Sequence, residues 1–150
     1  FEYVTMLGEE TLMILALAVL YFAVNKKFAQ KVFYVVVTSM SVNGIVKSIA
    51  KVPRPFSTGE ITCVRKSTAT GYSFPSGHTQ TFSTSIMALG YAFKKTWFYI
   101  ISIILIVLVA FSRMYLGAHY FSDVFVGQLI SLVLLVIIIN YLEKKVIIKN

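Results

Sequence analysis

Residues 112–123 read SRMYLGAHYFSD and stand between two apolar runs, 96–111 and 124–139. Arg113, His119 and Asp123 therefore place a cation, a nucleophile candidate and a carboxylate where one membrane-type segment ends and the next begins. His119 and Asp123 are four apart, so a helix starting near His119 would put them on one face, with the carboxylate holding Nδ1–H and Nε2 left with its lone pair. Ionisable groups this close to apolar runs are functional candidates, because unpaired charge in or near lipid is costly. The stretch predicts paired membrane helices with chemistry at their junction.

The rest of the composition agrees. At 150 residues, 57% hydrophobic and 13% charged, the chain is too apolar for an ordinary soluble domain and reads as one integral membrane domain. The net charge of +8 could serve nucleic acid. However, the lysines fall in clusters at the ends of apolar runs (Lys26, Lys27, Lys31; Lys94, Lys95; Lys144, Lys145, Lys149) and no nucleic-acid motif accompanies them. The single cysteine, Cys63, has no intrachain partner for a disulfide and reads as a bystander. The first apolar run follows Glu9 and Glu10 rather than a basic region and lacks a small-residue cleavage site, which argues against a signal peptide.

Taken in order, residues 1–10 form an amphipathic lead-in, 11–24 a short first span, and 25–31 a basic turn. A second span runs from about Phe33 to Ala50, carrying Ser39, Ser41, Asn43 and Lys47, and ends before Pro53 and Pro55, which disfavour helix. Residues 51–74 make the only long polar loop, with Lys51, Arg54, Glu60, Arg65 and Lys66. A third span starts near Ser76 and runs to Phe93, its hydroxyls at Thr79, Thr81, Ser83 and Thr84 suiting packing inside a bundle. The fourth is 96–111, Gly117 breaks the chain, and the fifth is 119–142. Five alternating spans put every lysine cluster on one side, the cytoplasm by the positive-inside rule. The loop and the Gly117 turn then share the extracytoplasmic face with Lys47, Arg54, residues 75–78, Arg113 and His119.

Two arginines and a lysine converging there suit a phosphoryl group, since a guanidinium holds two oxygens at once and an ammonium adds charge. Gly77 and His78 at a helix start would aim backbone N–H groups at the same anion, with Ser76 as a hydroxyl or an N-cap. In this reading His119 attacks phosphorus, Asp123 fixes its tautomer, and His78 protonates the leaving oxygen and later activates water. Lys47, Arg54 and Arg113 stabilise the equatorial oxygens, so fixed cations stand where a metal otherwise would and no cofactor is expected. Taken singly, the three cations read as snorkelling anchors and Asp123 as a partner for Arg113. Asn43, Glu9 and Gln128 read as packing or interface residues.

Lys47-x6-Arg54-Pro55, Pro75-Ser76-Gly77-His78 and Ser112-Arg113-x5-His119-x3-Asp123 together resemble the signature of the type 2 phosphatidic acid phosphatase (PAP2) family, with no departure at a defining position. The resemblance covers about residues 1–142 and implies an all-α, polytopic membrane helical bundle with a metal-independent site. It implies catalytic His119, His78 and Asp123, and phosphate contacts from Lys47, Arg54, Ser76, Gly77 and Arg113. The family core has six spans, so one N-terminal span is expected to be absent from this single domain, 1–150. The implied substrate is a lipid phosphate monoester or diphosphate, such as phosphatidic acid, phosphatidylglycerophosphate or undecaprenyl diphosphate. The alternatives are a non-catalytic lipid-binding or lipid-moving protein and a vanadate-dependent haloperoxidase-like enzyme. Neither the lipid nor the oligomeric state is specified by these motifs.

Overall fold

The computed structural model describes residues 1–59, 61–64 and 66–147; Glu60, Arg65 and Lys149, named above, lie outside the described residues. The helices are α1 (Glu2–Met6), α2 (Glu10–Val19), α3 (Lys26–Ala50), α4 (Gly77–Phe93), α5 (Thr96–Tyr115) and α6 (Phe121–Ile147). A π-helical turn, Leu20–Val24, extends α2, and two 3-10 turns, Pro55–Thr58 and Lys66–Thr68, punctuate the loop. No strand occurs among the described residues, and the all-α bundle expected from the sequence is the fold.

α6 runs on to Ile147, past the expected end at residue 142, and at three other places a helix boundary differs from expectation for a local reason. Residues 26–31 are not a turn before the second span but the opening turns of α3. Asn25 is extended, with φ −155°, and its Oδ1 accepts the Phe28 N–H at 3.0 Å, so this N-cap starts the helix seven residues earlier than Phe33. α5 runs past Phe111 to Tyr115 before Gly117, at φ 68°, turns the chain. A side chain at Gly117 would also strike Ile61 Cγ2 at 2.8 Å, so the loop lies directly over this turn. α6 begins at Phe121 rather than His119, because the Asp123 carboxylate reaches back and accepts the Tyr120 N–H at 2.9 Å. An acid at the third helical position bonding the N-cap amide is half of a capping box, and it also meets the positive end of the helix dipole.

α4 lies at the centre and packs against α3, α5 and α6. Its hydroxyl-rich sequence is buried as predicted: Thr79 and Thr84 are fully enclosed, and Gln80 is 1% exposed. Asn43 Nδ2 donates to Gln80 Oε1 at 2.8 Å, Gln80 Nε2 donates to Ser39 O at 2.8 Å, and Ser39 Oγ pairs with Thr84 Oγ1 at 2.9 Å. Ser131 of α6 donates to Gln80 O at 2.8 Å. Apolar side chains such as Ile103, Val107, Leu132 and Val136 face outward instead. This inversion of the usual pattern suits a lipid surround, where polar groups must find partners inside the protein. An apolar cluster of Leu20, Ala29, Val32, Val35, Val36, Ala88 and Leu135 fills the other part of the bundle. Gly127 lets α6 approach the start of α4, since a Cβ there would come within 3.1 Å of Ser76 O.

α3, α5 and α6 are long and apolar enough to cross a membrane. The other two expected spans are shorter, as α4 has 17 residues and the run Thr11–Val24 is a shorter apolar helix. Seventeen helical residues reach about 26 Å, just under the ~30 Å of a hydrocarbon core.

Candidate active site

Lys47, Arg54, Gly77, His78 and His119 line one cavity of about 270 Å³, although they come from α3, the loop after it, α4 and the turn before α6. Two cations and two imidazoles face this space and no carboxylate does among the described residues. The electrostatics favour an anion.

His119 is 4% exposed and held from both sides. Its Nδ1 lies 3.3 Å from Asp123 Oδ2, the pairing expected from the four-residue spacing, though through a turn and not a shared helix face. Asp123 Oδ2 also accepts the Tyr120 N–H at 2.9 Å and a short bond from Ser73 Oγ, so this oxygen is fixed and best suited to accept Nδ1–H. Nε2 therefore carries the lone pair, and Arg54 Nη1 approaches it at 3.2 Å. Burial pushes His119 down to about 4; the bond to Asp123 opposes this, while Arg54, Arg113 and Lys47 add to it. A depressed value means the ring is neutral from neutral pH down to about 4, which is the form a nucleophile needs.

The cations are anchored by backbone. Arg54 Nε donates to Gly71 O at 2.9 Å, Nη2 to Thr70 O at 2.6 Å and Nη1 to Ala118 O at 3.0 Å. Lys47 Nζ donates to Pro75 O at 2.8 Å and Tyr72 O at 3.0 Å. These bonds clamp the end of the loop, residues 70–75, between α3 and the His119 turn. The same groups supply positive charge to the cavity and hold its wall.

At the α4 start, Ser76 occupies the N-cap position, but its Oγ pairs with Thr79 Oγ1 at 3.1 Å and makes no cap bond. Its backbone does the anchoring: Ser76 N–H donates to Asp123 O at 3.0 Å, joining α4 to α6 beside the carboxylate. The first intrahelical bond runs from Gln80 N–H to Ser76 O, leaving the N–H groups of 77–79 without intrahelical acceptors. A Cβ at Gly77 would meet only Asn43 Oδ1, at 3.4 Å, so a side chain there would intrude on the cavity rather than on packing. Arg113 is wholly buried and Nη1 donates to Thr5 Oγ1 at 2.8 Å. Among the described residues that line the cavity, neither Ser76 nor Arg113 is found.

Four residues that drew no functional reading belong to this region. Gly8 lines the cavity, and a Cβ on it would come within 3.0 Å of His78 O. Thr5 meets Arg113, Ser73 meets Asp123, and Asn43 lines the cavity while donating to Pro75 O at 3.3 Å. The lead-in is thus a wall of the site. A glycine directly before Glu9 was the only local sign of it in the sequence.

The comparisons with known proteins converge on the same architecture. A stretch of 78 residues is 40% identical to an undecaprenyl-diphosphatase of Sulfolobus acidocaldarius, covering 52% of this chain and 37% of that protein's length. The fold matches a transmembrane PAP2-type phosphatidylglycerolphosphate phosphatase from Bacillus subtilis with a TM-score of 0.79 at 24% identity, over 95% of this chain and 75% of that one. It matches LpxE from Aquifex aeolicus with a TM-score of 0.80 at 23% identity, over 93% of this chain and 83% of that one. At such identities these two show likeness of fold. The family model described as the PAP2 superfamily matches residues 28–147, a range holding all three motifs and every charged group of the cavity, and on that match the chain belongs to the PAP2 superfamily.

Proposed function

We propose that this chain is an integral-membrane phosphatase that hydrolyses a lipid phosphate monoester or diphosphate through a phosphohistidine on His119, without a metal ion. The observation that carries the reading is the His119 ring itself: Nδ1 paired with Asp123, Nε2 turned toward Arg54, and a cationic cavity beyond. Nε2 attacks phosphorus as the bond to the leaving oxygen breaks, and His78, on the cavity wall, gives that oxygen its proton. Asp123 keeps the Nδ1 proton in place while the ring takes on positive charge. Water then attacks the phosphohistidine, loses a proton to His78, and inorganic phosphate leaves. Arg54 and Lys47 offset the charge on the equatorial oxygens. The undecaprenyl-diphosphatase of Sulfolobus acidocaldarius supports a lipid diphosphate as one substrate, and the phosphatidylglycerolphosphate phosphatase a monoester as another.

The test is phosphate release by purified protein in detergent from phosphatidic acid, phosphatidylglycerophosphate and undecaprenyl diphosphate. Release should persist in EDTA and be inhibited by orthovanadate, a phosphoryl mimic. No release from any of the three, or activity restored only by added Mg²⁺, would overturn the reading. Lipid movement without release would favour a carrier instead.

The lysine clusters further support an extracytoplasmic site. In a Cys63→Ser background, Ser67→Cys, exposed on the loop, should react with a membrane-impermeant thiol reagent on whole cells, and Lys95→Cys should not. The opposite labelling pattern would place the site in the cytoplasm.

A further inference from the structure

We propose that Ser73 is a positioning residue for His119, acting through the Asp123 carboxylate, a role that rests on the phosphatase reading above. Ser73 is fully buried two residues before Pro75, and its hydroxyl donates to Asp123 Oδ2. The same Oγ lies 3.4 Å from His119 Nδ1, so the Nδ1–H group sits between Oδ2 and a hydroxyl that is itself bound to Oδ2. Asp123 Oδ1 has no hydrogen-bond partner among the described residues, and the orientation of the carboxylate depends on what Oδ2 holds. Two of its three partners, Tyr120 N–H and His119 Nδ1, come from the same turn as Asp123 and move with it. Ser73 comes from fifty residues away and is the one of these three partners that ties the carboxylate to another segment of the chain.

Ser73 is itself fixed at both ends. Its N–H donates to Val52 O at 2.8 Å, and its carbonyl accepts from Lys47 Nζ at 3.4 Å. The hydroxyl thus reaches Asp123 from a backbone anchored to α3 and to the segment that follows it. Loss of this donor leaves the carboxylate free to rotate, and with it the preference of His119 for the Nδ1–H tautomer weakens. A ring protonated at Nε2 has no lone pair to present to phosphorus. Ser73 lies outside the cavity wall, so its effect should appear in turnover rather than in substrate binding.

The chain has two histidines, which makes the tautomer directly observable by ¹⁵N-histidine NMR of the full chain in detergent. Wild type should show one ring as the Nδ1–H tautomer, assigned to His119 by its loss in His119→Asn. In Ser73→Ala that ring should become a mixture of tautomers. The variant removes only a hydroxyl; should it elute as aggregate, Ser73→Cys, nearly isosteric with a weak donor, takes the same measurement. An unchanged tautomer in the folded variant overturns the proposal, whether or not the protein releases phosphate.

Activity gives the second arm. Ser73→Ala should lower kcat about 10- to 100-fold, the usual worth of a hydrogen bond to a charged group, and leave KM within about twofold. In an Asp123→Asn background the same change should cost less than about threefold, because the residue it acts through is already impaired. Equal losses in both backgrounds would make Ser73 a packing residue and sink the proposal. Absence of release by wild type would overturn the phosphatase reading, while the tautomer measurement would still decide the role of Ser73.

Discussion

His119→Ala should reduce phosphate release to background, a loss on the order of 10⁴- to 10⁶-fold if the residue forms the covalent intermediate. The size of the effect follows from the site's construction. Nε2 is the only ring nitrogen of His119 turned toward Arg54 and the cavity, and no Cys or carboxylate lines that cavity among the described residues to replace it. Because His119 is buried, the alanine variant also leaves a hole, so His119→Asn is the sharper companion: its amide N–H can still donate to Asp123, whereas it has no nucleophilic nitrogen. Both variants should be inactive, and brief reaction of wild type with ³²P-labelled lipid should trap an acid-labile, alkali-stable phosphoprotein that neither variant forms. Turnover within tenfold of wild type in His119→Asn would eliminate the covalent mechanism.

Much of this site was legible in the sequence because its chemistry is written in short spacings. Lys47 to Arg54, Pro75 to His78 and Arg113 to Asp123 are each set by one helix end or one turn. What stayed hidden depends on packing between distant segments. The Ser73–Asp123 and Thr5–Arg113 bonds span 50 and 108 residues, and nothing in a serine or threonine announces such a partner. Asn43 looked like packing because an asparagine in a membrane helix must be satisfied somewhere; Gln80 and Pro75 satisfy it, and it lines the cavity as well. The same limit explains Ser76 and Arg113. Spacing assigned them to the site, whereas their contacts, Ser76 N–H with Asp123 O and Arg113 with Thr5, depend on the packing of α4 on α6 and of α1 on α5. The boundary errors at Lys26 and Phe121 are of another kind, since the Asn25 cap and the Asp123 back-bond are local. Hydropathy had drawn those ends where the apolar run began instead of where the backbone found its cap.

Arg54→Lys should lower kcat/KM strongly, although it keeps the charge. The guanidinium makes four separate bonds: Nε to Gly71 O, Nη2 to Thr70 O, and Nη1 to both Ala118 O and His119 Nε2. It thereby joins the end of the loop to the turn that carries His119. A lysine ammonium is a point donor on a flexible stem and has no planar fork to span three carbonyls and a ring nitrogen together. The N–H beside Nε2 is also the donor closest to where phosphorus must arrive, so in the proposed reaction it passes from the ring lone pair to a phosphoryl oxygen as the new bond forms. Losing two such charge-assisted bonds in the transition state costs about 3–6 kcal/mol, or roughly 10²- to 10⁴-fold in kcat/KM. Because Gly71 and Ala118 would also lose their donor, the lysine variant should melt at lower temperature. Lys47→Arg is the control for charge alone, since Lys47 reaches the cavity from one side and bonds no atom of His119 in the structure. A lysine at position 54 that retained activity within tenfold of wild type would show that positive charge suffices there, and that the fork which links loop, turn and nucleophile has no part in catalysis.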